Sequence, residues 1–308
     1  TDLDADFHQI DPAQSANLHV HWGGPMAGVD DLTLDQEEGD PNSLVYDVLE
    51  VIDKHRIRIR PAAKADGTPP YSIGRRSYGS KQISNCEFFF LDTRSHRELH
   101  DLRQPSKPGV SMLGKHQTSW LVESMKKSNA DFFFVLSSVN FMIPHIGGGG
   151  AAFDPETKDD AWTAFLDERE FLIREWDMLG KPVFVLTGDL HNSFAIQITD
   201  RVWEFASGPH NSVNHRPEDQ GSAPPNGRFK YGPRECEIRW SSYSLGDIPR
   251  DNRRFPIYCV VQVNKVFNKP REPGETRWVA FPKPHVIFQY YDGWTGELRY
   301  AETIQASR

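Results

Sequence analysis

The chain has 308 residues, enough for one large domain or two small ones, and its 12% aromatic and 25% charged content is that of an ordinary folded protein. A formal charge of −8 with no Lys/Arg stripe argues against a nucleic-acid or anionic-membrane surface, and no apolar run reaches the roughly 20 residues of a membrane-spanning helix. Cys86, Cys236 and Cys259 are widely separated and odd in number, which leaves room for one disulfide but indicates neither a zinc cluster nor a disulfide framework.

Residues 1–42 carry little periodicity and crowd Asp2, Asp4, Asp6, His8, His19, His21, Asp30 and Asp31 together. They read as loop, either cation-binding or simply acidic surface. A helix is expected at 43–54, with Ser43 as its cap and Leu44, Val48 and Val51 on one face. Basic and apolar residues then alternate from 55 before a Pro/Gly break, and 85–92 reads as a buried strand ending in Asp92 and Arg94, which pair with each other or brace a turn. Helical spacing over 114–127 follows, then a strand at 131–138 that leads into Ser137, Ser138, Asn140 and His145. The glycine run 147–150 lacks the Lys-Ser/Thr ending of a phosphate-binding loop and reads as a flexible rim. A long helix is expected over 159–179, with Trp162, Phe165, Phe171, Leu172 and Trp176 as core contacts and Gly180 as its stop.

The apolar run Val183, Phe184, Val185, Leu186 delivers Gly188, Asp189 and His191 to a strand end, where α/β folds keep their chemistry. In an extended segment the two-residue spacing points a carboxylate and an imidazole to one side, as a cation requires. An isolated Asp-x-His can equally be a loop salt bridge. Beyond it the pattern turns antiparallel: a hairpin at 194–206, a polar loop at 207–233 carrying His210, Asn211 and His215, and strands at 256–266, 285–292 and 297–302. That loop is either an active-site rim or a plain insertion.

The three strand ends, taken in order, resemble the PhoD-like alkaline phosphatases of the metallophosphoesterase superfamily. Leu91-Asp92-Thr93-Arg94 is similar to the family's Leu-Asp-Thr-Arg segment, and Leu113-Gly114 with Gln117, Trp120 and Leu121 to its Leu-Gly-x-x-Gln-x-x-Trp-Leu helix. Glu168-Arg169 lies in the next helix, Thr187-Gly188-Asp189-Leu190-His191 resembles the C-terminal Gly-Asp-x-His metal motif, and Trp203-Glu204-Phe205 with Ser207-Gly208-Pro209 resembles the strand and loop after it. The likeness covers residues 55 to 215 well and the last ninety loosely.

The resemblance implies an α/β fold, a four-layer αββα sandwich with mixed sheets, here as one catalytic domain over 1–308 with 1–42 near the metal site. It implies hydrolysis of a phosphomonoester or phosphodiester by metal-bound water, with two or more ions of iron, calcium, manganese or zinc. Asp189 and His191 are its metal ligands. Asp6-Phe7-His8 resembles the family's Asp-Asp-His region, making Asp6 a metal contact and His8 the general acid, with Phe7 where a carboxylate stands elsewhere. Ser138 occupies the strand end where most metallophosphoesterases place a histidine ligand. The family's first metal-binding segments have no counterpart after Thr1, so the expectation is a chain lacking the N-terminal part of the fold and completed by an N-terminal fragment of the same precursor. A secreted or periplasmic protein is expected, and the rival reading is a non-catalytic relative that has lost ligands.

Overall fold

A computed structural model of the chain describes residues 16–20, 41–75, 77–98, 109–145, 161–246 and 255–307. The first four strands, β1 (Ala16–Val20), β2 (Leu44–Asp53), β3 (Arg56–Arg60) and β4 (Tyr71–Arg75), form a sheet in the order β3-β2-β1-β4 around a small core of Leu18, Tyr46, Val48 and Ile57. The stretch 1–42, expected as loop, therefore includes a strand. The helix expected at 43–54 is β2. Its apolar residues are largely β-branched, and register shifts at Val48/Glu50 and Val51/Asp53 break the two-residue alternation, so that a bulged strand imitates helical spacing.

An eight-stranded mixed sheet follows, built from β5 (Gly79–Ile83), β6 (Cys86–Phe90), β7 (Phe132–Leu136), β8 (Val183–Thr187), β9 (Phe194–Gln197), β10 (Val202–Ala206), β11 (Gly227–Tyr231) and β12 (Arg234–Ser241). Its order is β11-β12-β9-β10-β8-β7-β6-β5, with β6, β7, β8 and β10 parallel. These parallel strands are covered on both faces, which is why they read as unbroken apolar runs. Phe133, Val135 and Val185 face the helices α1 (Gly114–Lys127) and α2 (Leu166–Met178), whereas Phe132, Phe134 and Phe184 face a third sheet. That sheet is β13 (Ile257–Asn268), β14 (Trp278–Asp292) and β15 (Leu298–Gln305), joined in sequence order. Phe288 stacks on Phe205 at 3.5 Å between ring centres, and the Tyr290 hydroxyl donates to the Phe194 and Ala206 carbonyls at 2.7 and 3.1 Å, bonding sheet to sheet. The α/β fold with mixed sheets is thus present, as helix layer, eight-stranded sheet and three-stranded sheet; among the described residues no helix covers the outer face of the last.

Several boundaries differ from the sequence reading, and β14 starts at Trp278 rather than at 285. α2 begins only at Leu166, after a 3-10 turn at Trp162–Ala164, and Phe171 is 36% exposed on its solvent side rather than in the core. The polar stretch 207–233 contains β11, which pairs with the unanticipated β12, whose inward residues Cys236, Ile238 and Trp240 alternate with Glu235, Glu237 and Arg239.

Candidate functional site

Strands β6, β7, β8 and β10 end side by side, and their last residues form the rim where an open parallel sheet places its ligands. At the end of β6 the Asp92 backbone is held at both its N–H and its carbonyl by the Gln117 amide of α1, each at 2.8 Å. Trp120 packs against Tyr78 and Phe89, with ring centres 5.0 and 5.9 Å away. From α2, Glu168 accepts from the Ser111 and Thr118 hydroxyls at 2.7 and 2.6 Å and from the Met112 N–H at 2.6 Å. The helical motifs are therefore braces for the strand end.

The Asp92 carboxylate turns onto its own loop, accepting from the N–H groups of Arg94 at 3.0 Å and Ser95 at 2.8 Å and from the Ser77 hydroxyl, with His96 Nε2 4.0 Å away. Of the two structural readings of Asp92, bracing the turn is the one observed. Burial pushes this carboxyl up, but the bonds from Ser77, Ser95 and Arg94 outweigh it and leave it below the usual range. A depressed folded pKa contributes stability above the unfolded value of about 3.9 and loses it as pH falls through the lower folded value. The urea-unfolding difference between wild type and Asp92→Asn is accordingly expected to be full at pH 7 and to shrink below about pH 3.9; a pH-independent difference contradicts this origin.

At the end of β7, Ser138 Oγ lies 2.5 Å from Thr93 Oγ1, joining the first two strand ends. At the end of β8 the chain makes a tight turn, with the Leu190 N–H donating to the Gly188 carbonyl at 2.8 Å. Asp189 (φ +68°) and His191 (φ +55°) are both left-handed, a region that Asp and His enter more readily than most side chains. The extended geometry expected for this pair is thus replaced by a turn that buries Leu190 and leaves Asp189 exposed and His191 half-buried. His191 Nδ1 lies 3.0 Å from the Val213 carbonyl and 3.2 Å from Ser212 Oγ. Because a carbonyl only accepts, the Val213 contact favours the proton on Nδ1, the tautomer that leaves Nε2 as the metal-binding nitrogen of a neutral ring.

Sequence spacing could not reveal what surrounds this turn. The His215 ring packs at a tilt against His191, with ring centres 4.3 Å apart, and His145 against His215 at 4.8 Å, so three histidines from three loops share one rim. Beneath them, Asn192 Nδ2 donates to the His215 carbonyl and to Gln220 Oε1, both at 3.0 Å, and Asn192 Oδ1 accepts from Asn214 and Ser242 at 3.1 and 2.9 Å. Under the β8 end lies Glu204 of β10, wholly buried, which accepts from the Phe141 N–H (2.8 Å), the Met142 N–H (2.7 Å) and the Thr187 hydroxyl (2.9 Å). Burial holds its carboxyl above the usual range despite these bonds.

Between the strand ends and β13 opens a cavity of about 440 Å³, walled by Phe90, Leu136, Leu186, Phe205 and Val261, with Ser138, Thr187 and Ser207 also in its lining. Cys259 also lines it, but burial pushes that thiol up to about 12, leaving it neutral and poorly nucleophilic near pH 7. All three cysteines are free.

The family model for PhoD-like phosphatases matches residues 63–244, more than half of the chain. The chain belongs to the PhoD-like phosphatase family. The matched region of this PhoD-like chain contains all four parallel strands, both helices and the Asp189–His191 turn. A solved structure of PhoD overlaps 76% of the chain at 17% identity and a TM-score of 0.41, and the chain spans 45% of that protein's length. No match was found among curated proteins.

A metal centre of this family needs more donors than the turn alone offers. Asp189 and His191 bring a carboxylate and an imidazole to one turn, but among the described residues no three His, Cys, Asp or Glu side chains converge on one cation position. Asp6 and His8, the other candidates, lie outside the described residues. The described residues therefore fit part of a metal site and not a closed one.

Proposed function

We propose that this chain forms one wall of the active site of a metal-dependent phosphoester hydrolase acting on a monoester or diester. The observation that carries the reading is the Asp189–His191 turn at the end of a central parallel strand, inside the family match. Asp189 and His191 would hold a divalent or trivalent ion of iron, calcium, manganese or zinc, which when bound polarises a phosphoryl oxygen and acidifies a water. Val213 and Ser212 orient the imidazole, while Glu204 and the Asn192 network hold the loops that carry these groups. Further donors come from outside the described residues. Asp6 as a metal contact and His8 as general acid are the proposal within this chain, and an N-terminal fragment of the same precursor is the proposal beyond it. Secreted or periplasmic placement belongs to the same proposal and rests on the family resemblance alone.

The test is hydrolysis of p-nitrophenyl phosphate and bis(p-nitrophenyl) phosphate by natively purified, metal-loaded protein, with intact-mass analysis for a second polypeptide. Turnover that a chelator abolishes and metal restores is expected; inertness toward both esters in protein that has bound metal overturns the hydrolase. The open donor set favours one rival, a non-catalytic relative, which that inertness supports.

A further inference from the structure

The chemistry proposed for the Asp189 turn leaves the adjoining cavity unused, although Thr187 lies on the cavity wall only two residues, at most about 7 Å of chain, from Asp189. At about 440 Å³ the cavity is the size of a small-molecule site, generally some 300–1,000 Å³. None of the described lining residues is charged. Its apolar walls come from both sheets, Phe90, Leu136, Leu186 and Phe205 from the eight-stranded sheet and Val261 from the third, while Ser138 and Ser207, just past the ends of β7 and β10, add hydroxyls to the lining. A sugar, nucleoside or charged alcohol seated among those walls would leave its polar groups without partners, which is costly; an alkyl or aryl group leaves none.

We infer that this cavity binds the apolar moiety of the substrate, which makes the substrate a phosphate ester of an alkyl or aryl alcohol. The inference rests on the hydrolase reading for the word substrate, and on the cavity alone for the ligand. The Ser138 and Ser207 hydroxyls meet the ester oxygens, and the chain of the alcohol runs inward between the sheets.

The test uses the whole chain and non-hydrolysable methyl-, butyl- and octylphosphonate in titration calorimetry. Affinity is expected to rise with length, by up to about fourfold for each methylene buried, and a flat series or no binding overturns the inference. Val261→Trp, which fills the cavity, is expected to make octyl- and methylphosphonate bind alike; an undiminished preference for the octyl compound in the folded variant also overturns it. Hydrolysis of bis(p-nitrophenyl) phosphate is followed on the same preparation. Turnover with a flat length series overturns the cavity assignment alone, whereas length-dependent binding without turnover in metal-loaded protein supports the cavity and overturns the hydrolase reading.

Discussion

Asp189→Asn is expected to lower kcat/KM on bis(p-nitrophenyl) phosphate by about two to three orders of magnitude, the loss of roughly 3–4 kcal/mol of charge stabilisation at the phosphoryl group. Asparagine is the informative replacement because the position is left-handed, at φ +68°, and Asn tolerates that region almost as Asp does. Alanine would add backbone strain and confuse loss of a donor with distortion of the turn. His191→Asn follows the same reasoning at φ +55° and removes the Nε2 lone pair. Metal content by elemental analysis and turnover are measured together. If Asp189→Asn keeps both its metal and full activity, Asp189 is not a ligand.

The features legible in the sequence are those set by local pattern. The strands β6, β7 and β8 were readable because burial on both faces gives continuous apolar runs, and α1 and α2 because each buries one stripe. β2 was not, since two bulges turned a two-residue period into something like a helical one. β11 and β12 escaped because their inward residues are separated by charges in a stretch dominated by Gly, Pro and Ser. The site divides in the same way. Asp189 and His191 follow an apolar strand and stand out, whereas His215, 24 residues on, reaches His191 only through the tertiary fold, and His145, 46 residues before His191, reaches His215. The left-handed turn has no sequence marker either, because Asp and His there stand where glycine would announce it. For Asp6 and His8 the described residues offer no geometry with which to compare the expectation.

Glu204 shows how much of the rim depends on a residue to which the sequence assigns no role. Its two oxygens accept from two backbone N–H groups and one hydroxyl, and those donors belong to the loop after β7 and to the last residue of β8. Glutamine has the same shape but carries one amide NH₂, and in either orientation that group faces a backbone N–H, of Phe141 or of Met142. Only an acceptor at both positions satisfies the site. Glu204→Gln is therefore expected to destabilise the protein by about 1–3 kcal/mol in urea unfolding, the range for a buried donor left unpaired. Glu204→Ala, which strips the acceptor from every donor and leaves a void, is expected to cost about 3–5 kcal/mol. Because Thr187 stands two residues before Asp189, both variants are also expected to weaken metal binding more than they alter the secondary structure seen by circular dichroism. Metal affinity can fall 10–100-fold when a group that orients a ligand is lost. Wild-type stability in Glu204→Gln would mean that the bonds from the Phe141 and Met142 N–H groups do not set the stability of the rim.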